Sequence, residues 1–203
     1  MNVEFNLLDS NVKGYVQVYT GDGKGKTTAA IGLCIRALGA NKKVMFLQFM
    51  KEETYSEHNL LRHLSNNLVL ETIGKPYFVI KSDALSKIDI SKLSHCVVLE
   101  PGNPPEEYVL LIAAGIEKAK HAASSGLYDL VVLDEINCAL HFELTTWDKI
   151  NEIIKCKAPA TELILTGRGA PLELLEAADL VTEMKEIKHY YTQGVMARKG
   201  IEN

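Results

Sequence analysis

Nine residues, Thr20-Gly21-Asp22-Gly23-Lys24-Gly25-Lys26-Thr27-Thr28, restrict what this chain can fold into more than any other stretch. The β-prone run Tyr15 to Tyr19 leads into them, and Ala29 to Leu38 follows with apolar residues at helical spacing, so the glycines lie between a strand and a helix. Such a loop can turn backbone N–H groups inward at a helix N-terminus, where the helix dipole adds partial positive charge. Lys26 adds a full charge, and Thr27 offers a hydroxyl suited to a magnesium ion. The pattern G-x-x-x-x-G-K-[ST] is missed at one place, because its first glycine falls on Thr20. Gly21 and Gly23 are expected to supply the permissive φ angles instead. A plain glycine-rich turn with surface lysines would explain neither the Gly-Lys-Thr ending nor the flanking strand and helix.

Composition narrows the class further. The 203 residues, 47% hydrophobic and 24% charged, suit one sizeable core, and one domain spanning 1–203 is expected, with 1–13 as an arm, an edge strand or a tail. A net charge of -4 without a long basic run argues against nucleic acid as a partner. There is no apolar stretch of the roughly 20 residues that span a bilayer, and Met1 to Phe5 lacks the basic and apolar regions of a signal peptide, so a cytoplasmic protein is expected. The four cysteines are far apart and read as buried free thiols, and the six histidines show no metal-binding spacing.

Taken in order, the chain alternates strands and helices. Strands are expected at Lys43 to Phe49 (buried on both faces), Leu68 to Glu71, Tyr77 to Ile80, Cys96 to Leu99, Asp129 to Glu135, Glu162 to Leu165 and Leu180 to Met184. Helices are expected at Glu57 to Leu64, at Glu106 to Ser124 with Gly126 as its cap, within Thr146 to Lys155, and at Pro171 to Ala177. Gly39-Ala40-Asn41 reads as a helix stop and Pro101 to Pro105 as a loop, while Lys81 to Leu93 gives no clear reading. The fold class that follows is α/β, with helices on both faces of a mostly parallel sheet.

Asp134 and Glu135 end an apolar strand, at the carboxyl edge where such sheets present ligand groups. An acidic residue there can hold magnesium directly or through water, completing a shell begun by Thr27 and the phosphates. Glu135 could equally orient a water, so the two motifs alone suit a nucleotide-hydrolysing machine just as well. Thr166-Gly167-Arg168-Gly169 follows another strand on the same edge, which would let Arg168 reach phosphate or purine. Arg36 reads either as a ligand contact or as a solvated helical charge, and His189, in a polar loop after the last strand, as a contact to a ligand or a partner subunit.

The motifs together resemble one family. Val18 to Ala30, Gln48-Phe49-Met50-Lys51, Tyr128 to Asn137, Leu165 to Pro171, Ala178 to Met184, Ile187-Lys188-His189 and Ala197 to Glu202 are similar, in order, to segments of the P-loop ATP:corrinoid adenosyltransferases. The likeness covers most of the chain outside about residues 52 to 127. It implies a RecA-like P-loop domain that dimerises, and a reaction in which Co(I) of a reduced corrinoid attacks the 5′-carbon of ATP and triphosphate leaves. No general base is then required, only alignment and charge stabilisation. Carried over, the resemblance gives the triphosphate to Gly21, Asp22, Gly23, Lys24, Gly25, Lys26, Thr27 and Thr28, and Mg2+ (or Mn2+) to Thr27 and Glu135 with Asp134 assisting. Arg36 and Arg168 would lie near the nucleotide. It also implies an electron-donating flavoprotein or flavodoxin and a homodimer. An ATPase or kinase releasing ADP, and an ATP-dependent corrinoid carrier or sensor, are the alternatives.

The sequence departs from the family where the corrinoid is expected. Members commonly carry Gly-Phe-Thr-Trp before the long helix, to keep the lower axial ligand off cobalt. Here Val97 to Pro105 has neither Phe nor Trp, Trp147 lies beyond the Asp-Glu motif, and Glu52 follows Lys51 where glycine is usual. Tyr55, Tyr77 and Phe78 are the candidate substitutes.

Overall fold

The computed structural model describes residues 13–52, 55–81, 96–99 and 102–202. Six parallel strands form the main sheet in the order β3-β2-β6-β7-β1-β8: β1 Val16–Thr20, β2 Val44–Phe49, β3 Leu68–Ile73, β6 Leu130–Asp134, β7 Glu162–Thr166 and β8 Leu180–Glu183. The helices are α1 Lys26–Gly39, α2 Ser56–Leu64, α3 Glu106–Ser124, α4 Ile136–His141, α5 Trp147–Cys156 and α6 Leu172–Ala177. This is the expected α/β class, consistent with a RecA-like P-loop fold. Among the described residues no helix is long and apolar enough to cross a membrane.

Strand alternation sorts the core into two layers. Val44 and Phe46 of β2, Leu130 and Val132 of β6 and Ile164 of β7 pack with Ala30, Cys34 and Ala37 of α1. Their neighbours Met45, Leu47, Phe49, Val131, Leu133, Leu163 and Leu165 pack on the other face with α3 and α5. All six β2 residues are buried, as its continuous apolar run requires. The buried stripe on α1 recurs at positions 26, 30, 34 and 37, and small side chains there bring the helix close to the sheet.

Gly115 marks a close approach of α3 to the sheet. A Cβ there would come within 2.6 Å of Ile73 Cδ1 and 2.9 Å of Phe49 Cε1. Gly115→Val is therefore expected to lower unfolding free energy by about 1–3 kcal/mol through overpacking, read as a lower urea midpoint with an unchanged m-value. An unchanged midpoint would show that α3 does not seat this closely.

Some expectations are met and others corrected. α4 was not foreseen, because six residues beginning straight from a left-handed Glu135 carry neither a cap signal nor a full apolar period. β4 Phe78–Lys81 and β5 Cys96–Leu99 are strands, but they pair with each other in a separate two-stranded parallel sheet. At the end of α1 the left-handed residue is Asn41, with φ 59°. Gly126, at φ 68°, takes the left-handed position just beyond the α3 cap Ser125. The arm expected at 1–13 lies outside the described residues except at Lys13, as does Lys81 to Leu93 except at Lys81. Cys34, Cys138 and Cys156 are free thiols.

Candidate functional site

The alternation that builds the α1-side core turns polar at its carboxyl end. Following Val44 and Phe46, the next residue of β2 on that face is Gln48. Following Leu130 and Val132 in β6 it is Asp134, and following Ile164 in β7 it is Thr166. Register places Gln48 opposite Asp134, with β7 on the other side of β6. A polar row thus lies under the first turn of α1, and all three of its residues are 0% exposed.

Buried polar groups must be paired, and these are. The Asp134 carboxylate accepts from Thr27 Oγ1 at 3.0 Å, Gln48 Nε2 at 3.1 Å, Lys51 Nζ at 3.0 Å and Thr166 Oγ1 at 2.6 Å. Lys51 also donates to Thr27 Oγ1 at 3.1 Å and lies over the Tyr55 ring at 5.2 Å. Burial pulls the Lys51 pKa down, but Asp134 and Glu135 outweigh it and leave the ammonium above the usual lysine value. Thr166 Oγ1 accepts from the Glu135 backbone N–H at 3.1 Å, which ties the Asp-Glu pair to the end of β7. Glu135 itself is left-handed, at φ 59°, and its carboxylate accepts from the Cys138 thiol at 2.8 Å. Burial and the neighbouring Glu135 push that thiol well above its ordinary range.

The glycine loop is pinned from beneath. Gly23 N–H donates to Met184 O at 2.7 Å, and a Cβ on Gly21 or Gly23 would meet that same carbonyl at 2.4 or 2.7 Å. Gly21 and Gly25 supply positive φ (92° and 119°), whereas Gly23 is required for space, which corrects the expectation that it supplies the turn angle. Thr20, where the strict pattern has glycine, ends β1 and accepts from Ala170 N–H at 3.3 Å through Oγ1. Lys26, 7% exposed, folds back to donate to Gly21 O at 2.6 Å and Gly23 O at 2.7 Å. Burial, then the Arg168 charge, lower its pKa. The α1 N-terminus has no side-chain cap, so its first N–H groups are left for an anion.

Beside the loop opens a cavity of about 590 Å³. Asp22, Lys51, Glu135 and Arg168 supply its charge, and Tyr55, Tyr77, Tyr108, Phe142, Met50 and Val79 its apolar wall. Tyr77 and Tyr108 meet edge to face at 5.7 Å. Chemically, one end suits a polyanion and the other a broad apolar ligand.

The expected site residues divide cleanly. Gly21, Asp22, Gly23, Gly25, Lys26, Thr27, Asp134, Glu135 and Arg168 converge, while Thr28 is exposed on the first turn of α1 and Lys24 donates to Ile201 O at 2.8 Å. Arg36 is exposed in the last turn of α1, roughly 15 Å along the helix from Lys26, and does not line the cavity. His189 caps a short 3-10 turn, accepting from Tyr191 N–H at 3.0 Å, and is likewise not among the lining residues. Of the candidate aromatic substitutes, Tyr55 and Tyr77 reach the cavity, and the Phe78 side chain lies outside what is described. Trp147 packs against the core from α5. Sequence reasoning missed Gln48, Lys51, Thr166 and Cys138 as site residues. For Gln48, Lys51 and Thr166 the available signal was a polar residue at or just past the end of a central strand, whereas Cys138, inside α4, carried none.

Comparison with known proteins agrees with this geometry. The family model described as ATP:corrinoid adenosyltransferase BtuR/CobO/CobP matches residues 12–203. The chain is 31% identical over 195 residues to a corrinoid adenosyltransferase of Pseudomonas aeruginosa, covering 94% of this chain and 84% of that protein. It is 29% identical over 191 residues to the corrinoid adenosyltransferase CobA of Salmonella typhimurium, covering 94% and 86%. An uncharacterized protein of Nostoc is 33% identical over 194 residues, covering 90% of this chain, which spans only 47% of that longer protein. The chain belongs to the ATP:corrinoid adenosyltransferase family, whose function is ATP-dependent transfer of an adenosyl group to a corrinoid.

Proposed function

We propose that this chain transfers the 5′-deoxyadenosyl group of ATP to the cobalt of a reduced corrinoid. The Co(I) electron pair forms the cobalt–carbon bond, the C5′–O bond breaks, and its pair leaves with triphosphate; cobalt becomes formally Co(III). The observation that carries the reading is the continuity of the phosphate loop with an aromatic-walled cavity, through Asp22 at one end and Tyr55, Tyr77, Tyr108 and Phe142 at the other. Lys26 and Lys51, bonded to internal oxygens, would turn to the triphosphate and stabilise the charge that develops on it. Arg168, whose charge is felt by Lys26, would act beside them.

The donor chemistry fits a hard divalent cation, Mg2+ or Mn2+. Thr27 Oγ1 and the Glu135 carboxylate would hold it, with Asp134 behind them orienting Thr27. Among the described residues no three His, Cys, Asp or Glu side chains cluster as a metal site, so phosphate and water would complete the shell. When bound, the ion neutralises phosphate charge. The remaining proposals are a homodimer, a flavoprotein or flavodoxin electron donor and a cytoplasmic location, each resting on the sequence arguments above.

The test is anaerobic incubation with magnesium-ATP and chemically reduced cobalamin, following the corrin spectrum and the phosphate product. Adenosylcobalamin with stoichiometric triphosphate is the expected result. ADP release would mean an ATPase or kinase, and binding of both ligands without product a carrier; either overturns the proposal.

A further inference from the structure

We infer that His58 is a positioning residue for the nucleotide site, acting through Gln48 on Asp134 and so on Thr27 and Lys51. The inference rests on the proposed reading of that site. α2 is a short, polar helix of which only His58 and Leu61 are buried, and His58 is 1% exposed. Its Nε2 closely contacts Gln48 Oε1, and Gln48 Nε2 donates to Asp134 Oδ2 at 3.1 Å. Among the described residues, the buried Nδ1 has no hydrogen-bond partner.

These contacts fix the chemistry at each atom. Asp134 accepts only, so Gln48 must turn its NH2 toward it, which leaves Oε1 facing α2. That oxygen needs a donor, and His58 Nε2–H supplies it, so Nδ1 carries the lone pair. An unpaired buried acceptor is tolerated better than an unpaired buried N–H. A residue placed for packing alone would be apolar, since a ring satisfied at one nitrogen gives up hydration at the other. Without the His58 donor, Gln48 Oε1 loses its buried partner and the side chain loses the anchor that seats its Nε2 on Asp134, loosening the carboxylate that holds the Thr27 hydroxyl and the Lys51 ammonium. His58 acts as the outermost member of a four-residue chain: α2 to β2 to β6 to the first turn of α1.

The experiment measures magnesium-ATP binding by calorimetry, and steady-state constants for ATP and for reduced cobalamin, on the full chain. His58→Met fills the space without a donor, and should raise the Kd and KM for ATP about tenfold while leaving the KM for cobalamin unchanged. His58→Gln carries an amide N–H at about the reach of Nε2 and should restore ATP affinity to within about twofold of wild type. Combining His58→Met with Gln48→Met should weaken ATP binding no more than Gln48→Met alone, because one chain has been cut twice. If His58→Met does not fold, His58→Asn, whose donor stops short of Gln48, takes its place with the same expectation. Wild-type ATP affinity in the donor-less variants, a His58→Gln variant as weak as they are, or additive losses would overturn the inference while leaving the nucleotide reading intact. Failure of the wild-type chain to bind magnesium-ATP would overturn both.

Discussion

Lys26→Ala should lower kcat/KM for ATP by about 10²–10³, the range seen when one preorganised donor to developing charge is removed. The loss has a structural origin. Lys26 is the cation at the base of the loop, 7% exposed, and its ammonium already sits among oxygens of Gly21 and Gly23. Phosphate oxygens would replace those neutral acceptors with anionic ones, adding charge–charge attraction to hydrogen bonds that the ammonium already makes charge-assisted. Stability should change little, within about 1 kcal/mol, because both carbonyls lie in a loop that solvent can reach once the side chain is gone. Lys26→Arg keeps the charge but not the volume or the single-point geometry, and is expected to rescue only partly. Single-turnover rates and thermal melts separate these effects. Near-wild-type transfer by Lys26→Ala would remove the phosphate loop from the mechanism.

Asp134→Ala should instead be felt first as instability. The carboxylate, 0% exposed, takes four donors, and one of them is the Lys51 ammonium, whose side chain is 12% exposed. Removing one partner of a buried ion pair leaves an uncompensated charge and costs about 3–5 kcal/mol. At about 2–4 °C per kcal/mol for a chain of this size, Tm should fall by roughly 10 °C. Adding Lys51→Met to Asp134→Ala should recover part of the stability and none of the activity, since it removes the stranded charge but also the ammonium proposed to meet phosphate. The pH dependence has a definite sign. The Lys51 pKa is raised by folding, so the pair contributes fully below the ordinary lysine value and is lost only as pH rises through the higher folded value. It should therefore hold unchanged through neutral and mildly alkaline pH. An Asp134→Ala chain with a wild-type denaturation midpoint would show that the buried network is not what holds this edge of the sheet.

The family and the glycine-loop end of the candidate site were legible in the residues, because both depend on local chemistry. Gly21 to Thr27 need only their neighbours to form a strand, a loop and a helix start, and Asp134-Glu135 needs only the apolar run before it. Strand and helix positions followed from period, except for α4, which is too short to have one. Tertiary structure alone decided the rest. Gln48, Asp134 and Thr166 are three unrelated strand ends until parallel register sets them side by side, and Lys51 is a lysine after a strand until it closes over Thr27. Tyr55, Tyr77, Tyr108 and Phe142 come from four places in the chain and become one wall only when α3, α4 and the segments after β2 and β3 meet. Arg36 shows the opposite case, taking the solvated of its two readings. A helix carries its residues 1.5 Å apiece away from its first turn, so a charge ten positions on leaves the site that its own helix begins. Local chemistry is written along the chain, whereas convergence depends on register and on distance through space.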